Sequence, residues 1–135
     1  MTAITAPRAT TRDSFLRFAL RLDAVCSGLM GIVGLAIAPK IAELSGTTAG
    51  FEYTVGALFV AYGVAVLVLS SRPSVRQTGV VVVIGNLVYS VATVVAVLAG
   101  VFPLTTAGVV GFLGSGVFTL VMADLQYLGL RRIKR

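Results

Sequence analysis

QTGVVVVIGNLVYSVATVVAVLAGVFPLTTAGVVGFLGSGVFTLVMA, residues 77–123, runs for 47 positions without a charged side chain, between Arg76 and Asp124. A helix needs only ~20 apolar residues to cross the hydrocarbon core of a bilayer, so this stretch is too long for one crossing and suits two. Pro103 supplies the break, because it has no N–H to continue a helix and restricts Phe102 before it. Spans over 78–101 and 104–130 follow. Toward the N-terminus, residues 53–71 form another uncharged run that stops at Ser71-Arg72-Pro73. FLRFALRLDAVCSGLMGIVGLAIA, residues 15–38, is a further apolar run, carrying Arg17, Arg21 and Asp23 in its first turns and ended by Pro39. The sequence therefore predicts an all-α fold: a single bundle of four transmembrane helices with short loops. A small polar tail at 1–14 and a basic tail at 131–135 flank it, the first too poor in apolar residues to order itself.

Composition points the same way. Charged residues make up 12% of the chain and hydrophobic ones 57%, with a mean hydropathy of +0.99, where water-soluble domains carry about 25% charged residues. The net charge of +6 would suggest nucleic acid in a soluble protein. Here it reflects placement along a membrane protein, and no nucleic-acid partner is expected. The absence of histidine and the single cysteine, Cys26, remove Ser-His catalysis and an intramolecular disulfide and argue against haem or copper ligation. No cofactor, metal site or catalytic residue is expected.

The charges also orient the chain. With the N-terminus inside, ten of the 11 basic residues lie at the cytoplasmic side and only Lys40 lies outside, as the bias of Lys and Arg toward the cytoplasm requires. Both termini are expected in the cytoplasm and the protein in the plasma membrane. Ala36-Ile37-Ala38 resembles a signal-peptide cleavage site, but Arg17, Arg21 and Asp23 interrupt the apolar run before it. Residues Arg131, Arg132, Lys134 and Arg135 are expected at lipid headgroups, where they can also hold anionic lipid.

Counting residues inward from each cytoplasmic boundary at ~1.5 Å per residue puts Arg21, Asp23, Asn86 and Asp124 in one layer, ~10 Å deep. Unpaired charges at such depth are costly and tend to face a bundle interior. The expected cluster pairs Asp124 with Arg21 or Arg17, with Asp23 as the competing partner and Asn86 bonded into the same layer. Gln126 lies a little shallower and Tyr62 a little deeper. Asp13 and Arg17, four apart, can pair at the interface, and Arg17 is otherwise expected to snorkel. Small residues at four-residue spacing (Ala24/Gly28, Ser27/Gly31, Ala57/Ala61/Ala65 and Ala107/Gly111/Ser115) suggest close helix packing or a face for a second copy.

RLDAVCSGLMGIVGLAIAP, the second span VAYGVAVLVLSSRP and the ending LQYLGLRR together resemble the small four-helix integral membrane proteins of high-GC actinobacteria. Size and an arginine early in the first span give a fainter similarity to DoxX-like four-helix proteins. The resemblance implies a four-helix membrane fold and carries over no catalytic residue.

Three function classes stand open on sequence. The first is a structural or accessory subunit of a larger membrane complex, or a homo-oligomer, which suits short loops and the lack of reactive groups. The second is a small oligomeric transporter or proton-coupled exporter using an intramembrane carboxylate. The third, an embedded enzyme, would have to work with carboxylates alone.

Overall fold

A computed structural model of the chain describes residues 5–133. Four helices follow one another: α1 (Thr5–Ser45), α2 (Ala49–Leu69), α3 (Arg76–Ala99) and α4 (Thr106–Ile133). All four are long and apolar enough to cross a membrane. The chain is a multi-pass, all-α membrane protein.

The helix ends follow local chemistry. Thr48 caps α2, its hydroxyl accepting from the Phe51 N–H at 3.1 Å, so that helix begins four residues before the expected 53. Gly100, with a left-handed φ of 66°, ends α3. Phe102 and Pro103 form the turn, and Thr105 caps α4 by accepting from the Gly108 N–H at 3.0 Å.

Two expectations are corrected. Pro39 does not end the first span: α1 bends at Ile37 (φ −131°, ψ 32°) and continues to Ser45. Proline removes one helical hydrogen bond and crowds the carbonyl four residues earlier, which bends a helix without ending it where neighbours hold the next turns. Here Ala38 and Ala42 are buried. Thr105 also ties the helix end, its N–H donating to the Ser45 carbonyl at 3.0 Å and its hydroxyl to that of Leu44. The second correction concerns the tails. The stretch expected as a flexible 1–14 tail is helical from Thr5 onward, and α4 runs through Arg131 and Arg132 to Ile133; residues 1–4 and 134–135 lie outside the described residues.

α1 is the central helix, packed along α2 on one side and α4 on the other. α3 packs on α4 and scarcely touches α1. Glycine makes the α1–α2 contact close. A Cβ at Gly31 would lie 2.7 Å from the Gly56 carbonyl oxygen, and one at Gly63 2.7 Å from that of Ala24. Within a bilayer such approach supplies van der Waals contact where water exclusion contributes nothing. Ala24, Gly28 and Gly31 thus belong to a packing face. Ala57, Ala61, Ala65, Ala107 and Gly111 do not: all five are exposed, and the inward positions of α2 and α4 belong to Gly56, Gly63, Gly108 and Gly116. Leu16, Leu20, Ala24, Val66, Val75 and Val82 fill the core toward the arginine-rich end.

Arg17 locks α1 to the end of α2. Its Nε and Nη2 donate to the two carboxylate oxygens of Asp13, each at 3.0 Å. Nη1 donates to the carbonyls of Ser70 (2.8 Å) and Arg72 (2.7 Å), and Nη2 to that of Pro73 (2.9 Å). All five guanidinium N–H groups are used, three of them on carbonyls at the negative end of the α2 dipole. Arg17 is therefore a clamp and not a free headgroup ligand. A lysine has three donors and no planar fork. Arg17→Lys is expected to cost about 1–2 kcal/mol, read as a lower thermal midpoint in detergent.

Candidate functional site

α1, α3 and α4 each turn polar positions inward through their own spacing. On α1, Leu16, Leu20, Asp23 and Ser27 recur at intervals of four, three and four and are buried. On α3 the buried set is Gly79, Val82, Asn86 and Thr93. On α4 it includes Gly116, Thr119, Ala123, Gln126 and Gly129. These rows put Asp23, Asn86 and Gln126 at one level in the bundle, with Tyr62 of α2 reaching them from the side.

The Asp23 carboxylate is the hub. Its Oδ2 accepts from the Tyr62 hydroxyl at 2.8 Å, from Asn86 Nδ2 at 2.9 Å and from Gln126 Nε2 at 2.9 Å. Its Oδ1 accepts from the Ser27 hydroxyl at 3.1 Å. Asn86 Nδ2 also donates to Gln126 Oε1 at 3.0 Å, closing a ring of three side chains. Asp23 and Gln126 are 0% exposed and Asn86 5%. All four helices contribute, so the hub fixes their relative depth as well as their contact.

The hub contains no cation. Among the described residues the ion pairs are Arg17 with Asp13 and Lys40 with Glu43. Burying a charge in hydrocarbon requires compensation, which four neutral donors supply here. Among the described residues no three His, Cys, Asp or Glu side chains gather in a way that could hold a metal ion.

Of the four residues expected to cluster, the structure brings together Asp23 and Asn86 and leaves out Arg21 and Asp124. Arg21 is exposed, with Nε donating to the Ser70 hydroxyl (3.2 Å) and Nη2 to the Ser70 carbonyl (3.4 Å). Asp124 is exposed and makes no hydrogen bond or ion pair among the described residues. The expected pairing of Asp124 with Arg21 or Arg17 is therefore corrected. Each of the excluded residues sits two positions from a hub residue, Arg21 from Asp23 and Asp124 from Gln126, which is ~200° around a helix. On α4 the neutral amide of Gln126 is cheaper to bury than the Asp124 carboxylate and takes the inward place; on α1 the inward place falls to Asp23, in line with Leu16, Leu20 and Ser27. Gln126, Tyr62 and Ser27 are the members absent from the expected cluster.

A second polar seam joins α3 to α4 farther from the arginine-rich end. The Ser90 hydroxyl donates to the Gly116 carbonyl at 2.8 Å and lies 2.7 Å from the Thr119 hydroxyl, and Tyr89 and Ser115 hydroxyls are 3.1 Å apart. At the arginine-rich end, a groove of about 260 Å³ between α3 and α4 has Arg76, Tyr127 and Arg131 among its lining. Arg131 lies 6.0 Å from the Tyr127 ring and Arg132 4.4 Å from that of Phe15. Lys134 and Arg135, the other expected headgroup contacts, lie outside the described residues.

No protein-family model matches the chain, and neither does any curated protein or solved structure.

Proposed function

We propose that this small integral membrane protein is a structural or accessory subunit of a larger membrane assembly, held in the plasma membrane with both termini cytoplasmic. In this reading the Asp23 hub is the internal tie of the bundle. One observation carries it: both carboxylate oxygens are engaged by donors, from all four helices, at a position with no solvent exposure. A carboxylate that carries an ion or proton across a membrane needs a path on each side, and this one is closed to both. The loops at 46–48 and 100–105 also leave little surface for an active site. Arg131, Arg132 and the groove beside Arg76 suit anionic headgroups, which would anchor the bundle and fix its orientation.

A second reading rests on the missing counter-ion. A buried carboxylate without a basic neighbour is the chemistry of a proton-coupled exporter. Asp23→Asn separates the two. Asparagine keeps an oxygen for the three donors on Oδ2, and its amide can face Ser27, whose hydroxyl accepts as well as donates. It cannot titrate. In proteoliposomes loaded with a pH-sensitive dye, wild type and Asp23→Asn are expected to show the same proton leak as empty vesicles. A wild-type flux that Asp23→Asn abolishes, with the thermal midpoint unchanged, would establish the exporter reading in its place.

A further inference from the structure

The residues excluded from the hub form a matched pair. Asp124 is an exposed carboxylate on the outward face of α4, with Leu120, Val121 and Leu128 exposed around it. Arg21 is exposed on the outward face of α1 beside the end of α2. It uses Nε and one Nη2 hydrogen on Ser70, which leaves three of its five N–H groups without a partner among the described residues. Each is a polar, ionisable group with unused bonding capacity, on a surface otherwise built to meet acyl chains. Such groups are rare within membrane spans and mark contacts.

Their levels agree. α1 and α4 run antiparallel: a Cβ at Gly129 would lie 2.8 Å from Leu16 Cα, and Gly108 abuts Ser45 at the other end. Arg21 lies five residues along α1 from Leu16 (21 − 16) and Asp124 five residues back along α4 from Gly129 (129 − 124). At the same rise per residue the two sit at one depth, on different flanks, with no contact inside the chain. Copies of one membrane protein share an orientation, so they are related by rotation about the bilayer normal, which preserves depth. Only groups at equal depth can meet across such an interface, and these two satisfy that condition with opposite charge.

We infer that the protein self-associates head to tail in the membrane, Arg21 of one copy pairing with Asp124 of the next. The interface is heterologous: the α1/α2 flank of each copy meets the α4 flank of its neighbour, and a rotation that closes gives a ring. The pair joins two planar, geometrically matched groups in a setting of low dielectric, where a bidentate Arg–carboxylate bond is strong. This goes beyond the function proposed above by naming the neighbour, and the two fail separately, since Arg21 and Asp124 take no part in the hub.

The test is energy transfer between donor- and acceptor-labelled full-length chains in dilute liposomes, with the thermal midpoint of each variant measured in detergent. Wild type is expected to transfer. Asp124→Asn and Arg21→Gln, the mild variants, are each expected to weaken association at least tenfold with the midpoint retained. Asp124→Arg and Arg21→Asp are expected to do the same alone, and association is expected to return when both are placed in one chain or when the two single variants are mixed. A wild type that stays monomeric overturns the inference, as does association that survives Asp124→Asn. So does loss in the single variants that the double exchange fails to restore, which would assign Asp124 to a different partner.

Discussion

Asp23→Leu is expected to destabilise the bundle by about 3 kcal/mol or more, because it strands the Tyr62 hydroxyl and the amides of Asn86 and Gln126 in a dry interior at roughly 1 kcal/mol or more each. Leucine matches the carboxylate in bulk and offers no acceptor, so the loss falls on the three donors that converge on Oδ2 within 2.9 Å. Asp23→Asn retains that acceptor and is expected to stay within about 1 kcal/mol of wild type, the weaker neutral bonds being offset by relief from burying a charge. Unfolding in mixed micelles, followed by circular dichroism, measures both. If Asn proves as damaging as Leu, the hub depends on the charge and not on the acceptor geometry.

Gly63→Leu is expected to be comparably severe, at about 3 kcal/mol, toward the upper end of what overpacking costs. A Cβ there meets backbone, the Ala24 carbonyl oxygen at 2.7 Å and Gly28 Cα at 3.0 Å, and backbone cannot swing aside as a side chain can. α1 and α2 must separate, and Tyr62, the residue before Gly63, is drawn away from Asp23 as they do. Gly111→Leu is the control. Nothing lies within 4 Å of a Cβ at Gly111, so that substitution only adds apolar surface toward lipid and is expected to change stability by less than about 0.5 kcal/mol. The contrast between two glycines in apolar helices, measured in the same unfolding assay, tests the α1–α2 contact directly. Equal effects would mean that the two helices are not so closely apposed.

The four crossings were legible because their signals are one-dimensional: the length of apolar runs, Pro103 between two of them, and the clustering of arginines at alternate ends. Pro39 was harder. Whether proline ends or bends a helix depends on what holds the residues after it, and here that is Thr105, some sixty positions away in the chain. Within the site, depth could be read and direction could not. Counting inward put Asp23, Asn86, Asp124 and Arg21 in one layer, and attraction between opposite charges favoured the wrong pair. The direction of each helix is set by its whole inward row, and on α4 the spacing of Gly116, Thr119, Ala123, Gln126 and Gly129 points Gln126 in and Asp124 out. That row of small and polar residues was available in the sequence. The stripe Ala107/Gly111/Ser115 competes with it and has no packing role at its first two positions.

The central place of α1 has a consequence for biogenesis. α1 and α2 form one hairpin, α3 and α4 another, and α2 scarcely touches α3, so the first hairpin can close its glycine contact and the Arg17 clamp while the second is still being synthesised. At that stage Asp23 has only Ser27 and Tyr62 for company. Asn86 and Gln126 arrive with the later helices, so the carboxylate reaches its full complement of donors only when the last helix has docked. A chain truncated or stalled before α4 would expose a half-solvated acid within the bilayer, a feature by which membrane quality control can distinguish unfinished copies from finished ones.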